Sequence, residues 1–164
     1  MRWRVLDSPI GPLGVAVAGD AVAAVSFRGV GGRLGDDRLL DDAARQLTEY
    51  LAGDRVDFDL PLADVGGSRF ERAVWAAIAA IPYGQTRTYG QIAATVGEPD
   101  AARAVGVACN RNPLPLVVPC HRVVGAGNKL VGFGGGLPRK RFLLELEARV
   151  LLEAQFSGRW PPDR

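Results

Sequence analysis

Two helix-start signals constrain this chain more than anything else in it. Ser68-Arg69-Phe70-Glu71 and Thr88-Tyr89-Gly90-Gln91 are both capping boxes. In such a box a Ser or Thr oxygen accepts the backbone N–H three residues on, and a Glu or Gln side chain accepts the cap's own N–H. The first opens a helix with Phe70, Val74, Trp75, Ile78 and Ile81 on one stripe, ending at Pro82. That stripe reads as core and not as a binding face. The second opens a short helix to about Val96, and Gly97-Glu98-Pro99-Asp100 is a sharp turn. Residues 101–110 read as the next helix, behind an Asp100 N-cap. Helix, four-residue turn, helix is the helix-turn-helix pattern.

The second helix of that pattern is made of Ala101, Ala102, Ala104, Val105, Gly106, Val107 and Ala108, with Arg103 as its lone charge. Long side chains that read base edges in a major groove are scarce on it. Small residues let a helix lie close to another helix, or to a narrow minor groove with Arg103 reaching in. Composition leaves both readings open.

Upstream, residues 3–27 read as a small antiparallel meander, with turns at Ser8-Pro9-Ile10-Gly11-Pro12 and Gly19-Asp20. Residues 29–35 are a glycine-rich loop. Residues 36–52 carry Leu39, Leu40, Ala43, Leu47, Tyr50 and Leu51 at helical spacing, and Gly53 fits the stop. Residues 56–60 alternate like a short edge strand. The expected organisation is a first lobe over 1–60, a linker over 61–67 and a second lobe over 68–164. The expected fold class is α/β (α+β): a small antiparallel sheet with a helix, then a mostly helical lobe with a winged helix-turn-helix-like motif.

Downstream, Asn112-Pro113-Leu114-Pro115 breaks the helix and leads into Val117-Val118-Pro119-Cys120-His121-Arg122-Val123. This sets a cysteine beside the only histidine. A thiol reacts as thiolate, and a neighbouring basic group favours that form. Taken alone, the pair reads first as an inert core thiol, because cysteine is among the most buried residue types. Adjacent side chains on a strand point to opposite faces, so a working pair requires residues 119–122 to form a turn. Residues 125–128 are a turn and 129–131 a short strand. Gly132-Phe133-Gly134-Gly135-Gly136 is a loop whose backbone can approach a flat ligand, though it matches no phosphate-loop pattern. A last helix spans 138–147, with Phe142, Leu143 and Leu146 as its core stripe. Arg139, Lys140 and Arg141 crowd its first turn against the helix dipole. The tail prolongs it to about residue 156, and Trp160-Pro161-Pro162 reads as an irregular end.

Composition narrows the class. The 48% apolar and 23% charged fractions are those of an ordinary globular protein. No apolar run is long enough to span a membrane, and the N-terminus does not read as a signal peptide. Cys109 and Cys120 point to free thiols in a reducing compartment, and with one histidine they are too few for a structural zinc site. The net charge of +2 is uneven: residues 1–85 hold nine basic and twelve acidic side chains, and residues 86–164 hold eleven and six. A basic second half suits a polyanionic partner, or simply a solvated face.

The ordered set Arg103-Ala104-Val105-Gly106, Asn112-Pro113, Pro119-Cys120-His121-Arg122-Val123, Gly132-Phe133-Gly134-Gly135-Gly136-Leu137, and Lys140 through Leu143-Leu144 to Glu147 closely resembles the O6-alkylguanine-DNA alkyltransferases. The resemblance covers the second lobe without a gap. It implies a protein that takes the alkyl group from O6-alkylguanine, and O4-alkylthymine, onto its own Cys120, once. It implies that His121 takes the thiol proton through a water and that Glu147 holds and polarises His121. Arg103 would fill the space left by the flipped nucleotide. Tyr89 would push the 3′ phosphate and donate to guanine N3. Asn112 would be the hinge between the helix-turn-helix and the active-site turn. Ala102, Gly106 and Arg111 would meet duplex DNA from its minor groove. Val123, Phe133, Gly134 and Gly135 would line the base pocket. Phe133 stands where several relatives have tyrosine, so its ring can stack but a hydroxyl bond is lost. The resemblance implies no cofactor and no metal, a monomer, no membrane association and a cytoplasmic location. Two other classes stand beside it. An alkyltransferase-like lesion-binding protein would lack the acceptor cysteine. A cysteine hydrolase would need an oxyanion hole and a turnover step.

Overall fold

The computed structural model describes residues 1–158, so the expected irregular end at Trp160-Pro161-Pro162 lies outside the described residues. The fold is mixed α/β, with a small sheet and five helices in two compact units. One is Met1–Val65 together with residues from Leu146 onward; the other is Gly66–Glu145.

In the first unit, β1 (Arg2–Leu6), β2 (Leu13–Ala18) and β3 (Ala21–Ser26) form the expected antiparallel meander. A two-residue β4 (Arg33–Leu34) adds in parallel to β1, giving the order β3-β2-β1-β4. The sequence reads β4 as loop, because two residues carry no periodicity. Strand β2 is buried on both faces apart from Ala18, which its small residues allow. A Cβ at Gly14 would fall 2.7 Å from the Gly29 carbonyl oxygen, so that close approach needs glycine.

Helix α1 (Arg38–Leu51) is capped by Asp37, whose side chain accepts from Leu40 N–H at 3.0 Å. Leu40, Ala43, Leu47, Tyr50 and Leu51 of the expected stripe are buried and Gln46 joins them, whereas Leu39, also expected on it, is only half-buried. Residues 56–60 are not a strand. The Gln46 amide takes both backbone groups of Asp59, accepting from its N–H at 2.8 Å and donating to its C=O at 2.9 Å. That pairing replaces a ladder. The chain reaches the sheet later, where Pro61 O accepts from Val22 N–H and Ala63 N–H donates to Val22 O, both at 2.8 Å.

The second unit begins at α2 (Arg69–Ala79), with the Ser68/Glu71 capping box formed in both directions. The Thr88/Gln91 box is likewise complete and opens α3 (Tyr89–Thr95). The turn that follows is closed by backbone bonds: Glu98 N–H to Ala93 O and Ala101 N–H to Glu98 O, both 2.9 Å. Helix α4 (Ala102–Asn110) therefore starts at Ala101 without a side-chain cap, and Asp100 does not cap it as expected. Its inner face, Val105, Ala108 and Cys109, joins Val74, Ile78, Ile81, Ile92 and Ala93 in one apolar core. The Trp75 indole pins the helix end, donating to Ala108 O at 2.9 Å.

After a 3-10 turn (Cys120–Arg122) comes β6 (Val123–Val124), parallel to β5 (Arg87–Thr88). Residues 129–131 do not form the expected strand. A second 3-10 turn (Ala126–Asn128) precedes them, and Lys129 O is taken by Gly125 N–H at 2.8 Å. Helix α5 (Leu137–Ser157) runs 21 residues. Its residues from Leu146 group with the first unit, although the sequence reading left them with the second lobe. There Tyr50 bonds Glu147, and a Cβ on Gly53 would sit 3.0 Å from Val150. Among the described residues, no helix is long and apolar enough to cross a membrane.

Candidate active site

The Cys120 segment is held by its own backbone. Pro119 sits at φ −82°, ψ 68°, the centre of an inverse γ-turn, and Cys120 N–H donates to Val118 O at 2.8 Å. Arg122 N–H then closes a second bond, to Pro119 O at 2.9 Å. Residues 119–122 are thus a turn, as a working Cys-His pair requires. Asn112 locks the same place. Its Nδ2 also donates to Val118 O, at 2.8 Å, and its Oδ1 accepts from Leu114 N–H at 2.9 Å. Leu116, inside this clamp, holds φ 75°, a strained value for leucine.

Cys120 is buried, and His121 beside it has no exposed surface. Burial pushes the Cys120 thiol up. A hydrogen bond from the Asn112 side chain and the positive charge of Lys140 pull it partly back. The resting sulfur is therefore held as a thiol. Arg122 is buried too, donating to Ile81 O at 2.8 Å with its guanidinium 5.4 Å from the Tyr83 ring centre.

A cavity of about 430 Å³ opens beside α4. It is lined by Tyr89, Ala102, Arg103 and Gly106, four of the residues expected at the DNA surface, and by Val107, Asn110, Val131 and Gly132. The Tyr89 hydroxyl donates to Val131 O at 2.9 Å. Burial pushes that phenol up to about 12. Arg111 is not in the cavity. It is exposed, with its guanidinium 3.7 Å from the Glu71 carboxylate. Phe133 packs on the apolar core that holds Cys120 and Val123. A Cβ on Gly134 would reach Asn110 O at 4.0 Å, and Gly135 O accepts from Arg139 at 2.9 Å. Glu147 is buried in α5, and its Oε2 accepts from the Tyr50 hydroxyl at 2.5 Å.

Sequence reading missed Lys140 as a site residue. It is the only lysine buried among the described residues, with no exposed surface. Its ammonium donates to Val123 O at 2.6 Å, Gly132 O at 3.1 Å and Val131 O at 3.2 Å, and lies 3.4 Å from the Tyr89 hydroxyl. Burial lowers its pKa, and the nearby thiols Cys109 and Cys120 oppose this. Its signal was present in the sequence. Lys140 lies three residues before Leu143 and seven before Glu147, on the stripe that α5 buries.

Fold and site together define a helix-turn-helix protein whose next segment presents a buried cysteine-histidine turn. Family models of 6-O-methylguanine DNA methyltransferase match nearly all of the chain: the ribonuclease-like domain over residues 1–63 and the DNA binding domain over residues 69–149. A methylated-DNA–protein-cysteine methyltransferase of Mycolicibacterium paratuberculosis is 47% identical over 157 residues, covering 91% of this chain and 93% of the relative. The protein of that name from Methanosarcina acetivorans is 44% identical, covering 90% and 98%. Among solved structures, Mycobacterium tuberculosis OGT in complex with DNA superposes with a TM-score of 0.84 at 45% identity, covering 92% of this chain and 94% of that one. The chain belongs to the 6-O-methylguanine DNA methyltransferase family.

Proposed function

We propose that this protein repairs DNA by direct reversal, moving the alkyl group of O6-alkylguanine onto Cys120 in a single turnover. The observation that carries the reading is the turn at Cys120-His121, which bends two adjacent side chains out of strand alternation inside a buried, hydrogen-bonded frame. The thiol proton passes through one water to His121, and Glu147 holds the resulting imidazolium. The thiolate sulfur attacks the alkyl carbon, an S–C bond forms, and the C–O bond breaks with its electron pair left on guanine. Tyr89 donates a hydrogen bond to N3 of that guanine, stabilising the charge as it develops. The product thioether is not labile, so no step restores the thiol. O4-alkylthymine offers the same carbon–oxygen bond to the same sulfur.

Double-stranded DNA is the partner, approached through its minor groove by the small-residue face of α4. The lesion must leave the stack to meet the sulfur, at an unstacking cost of about a few kcal/mol. Arg103, which lines the cavity, takes the vacated place, and Ala102 and Gly106 let the helix come close. Arg111 is exposed to meet a phosphate. Phe133 stacks on the flipped base, with Gly134, Gly135 and Val123 along its edge. Two free thiols fit a reducing cytoplasm, and we expect the protein to act as a monomer.

The test is intact mass after incubation with a duplex carrying O6-methylguanine. One methyl group should appear on Cys120, never more than one per molecule, and none in Cys120→Ala. Repeated turnover, or transfer that survives Cys120→Ala, would overturn the proposal. A lesion-binding protein that transfers nothing would show no mass change.

A further inference from the structure

We propose that Tyr50, on α1, is a positioning residue for the transfer, acting through Glu147. The inference rests on the reading above in which Glu147 polarises His121, and it adds a residue from the first 65 of the chain to that chemistry. Tyr50 has no exposed surface and Glu147 is 1% exposed. The Tyr50 hydroxyl donates to Glu147 Oε2 at 2.5 Å, a separation of 97 residues in sequence. That distance is in the range of a hydroxyl donating to an ionised carboxylate.

A carboxylate held out of water loses its charge unless donors replace the lost hydration. The Tyr50 hydroxyl is such a donor. It favours the ionised form, and it commits one of the two carboxylate oxygens. The hydroxyl is itself held. The Tyr50 ring packs on Phe58, with centroids 5.3 Å apart at 43°. Gly53 ends α1 where any Cβ would press on Val150 of α5, so the two helices meet closely one turn from the bond.

Tyr50→Phe removes the hydroxyl and keeps the ring. The rate of single-turnover transfer from an O6-methylguanine duplex should fall roughly tenfold at neutral pH, the loss of one charge-assisted hydrogen bond. With this donor removed, Glu147 takes up a proton at higher pH, so the acid limb of the pH–rate profile should move upward. Affinity for the duplex should stay unchanged. In a Glu147→Gln background, where no charge remains to be favoured, Tyr50→Phe should slow transfer no further. A rate within about twofold of the parent at every pH would overturn the proposal. So would the same fold loss in both backgrounds, which marks a packing role. Phe58→Leu, which loosens the ring and keeps the hydroxyl, should leave the acid limb in place; an upward shift there would also count against the hydroxyl. If the unmutated protein transfers no methyl group, the proposed function fails, and that outcome is separate from any result with Tyr50→Phe.

Discussion

Lys140 Nζ lies 2.6 Å from the carbonyl oxygen of Val123, three residues beyond Cys120. The same ammonium reaches the carbonyls of Val131 and Gly132, so one buried cation ties the strand after Cys120 to the loop before α5. Lys140→Met keeps the stem and removes every donor. It should destabilise the protein by about 2–4 kcal/mol, because buried carbonyls lose their partner. Urea denaturation monitored by tryptophan fluorescence would read this, and an unchanged midpoint would contradict the tie.

Burial holds Cys120 as a thiol in the resting protein. Iodoacetamide should therefore label it slowly at neutral pH and faster as pH rises, as measured by peptide mass. Asn112→Ala removes the hydrogen bond that favours the thiolate and one of the two donors to Val118 O. Labelling and transfer should both slow, transfer by roughly tenfold to a hundredfold.

Cys109 gives a stability signature. Burial pushes its thiol up to about 12 from the ordinary 9.0. The unfolded chain releases that proton first, so this group's contribution is full below pH 9.0 and is lost as pH rises toward about 12. Tyr89, also raised to about 12, acts in the same direction over the upper part of that window. Cys109→Ala should flatten the fall in urea midpoint above pH 9.0 and leave the neutral-pH slope alone.

Leu116 carries opposing terms at one position. Its side chain is almost wholly buried, while its backbone sits at φ 75°. Leu116→Ala loses the buried side chain and keeps the strain. Leu116→Gly loses a similar side chain and relieves the strain, worth about 1 kcal/mol. The usual order should invert, with the glycine variant melting above the alanine variant by calorimetry.

Arg103→Ala should slow transfer from duplex DNA far more than from the free alkylated base. The arginine lines the cavity beside α4, and the proposed function gives it no part in breaking or forming a bond. Equal slowing on both substrates would rule out the stack-filling role. Raising salt should weaken duplex binding as counterion release predicts, in a titration at several ionic strengths.

Local signals were the legible part of this chain. Both capping boxes formed in both directions, and the meander and all of the α1 stripe but Leu39 fell where periodicity put them. Reading failed where side chain and backbone exchanged roles. Gln46 occupied the groups of Asp59 that a strand would have used, and backbone bonds closed the turn that Asp100 was expected to cap. It failed again where a charge was buried, because Lys140 looks like a misplaced surface residue until its three carbonyls are seen. The bond from Tyr50 to Glu147 has no local trace, since no pattern within α1 or α5 names its partner. Motif order suggested Cys120, His121 and Asn112 together, and the structure supplied the clamp on Val118 that motif order does not describe.

Helix α5 carries Lys140 and Glu147 on one side, two turns apart, at a rise of about 10 Å. An unbroken helix counts residues rigidly. One residue added or removed between these positions would rotate everything beyond it by about 100° and carry the carboxylate out of line with the ammonium. Loops elsewhere in the chain can change length and keep their ends in place. This seven-residue interval cannot, so natural and designed variants of the protein should keep its length fixed even where they change its letters.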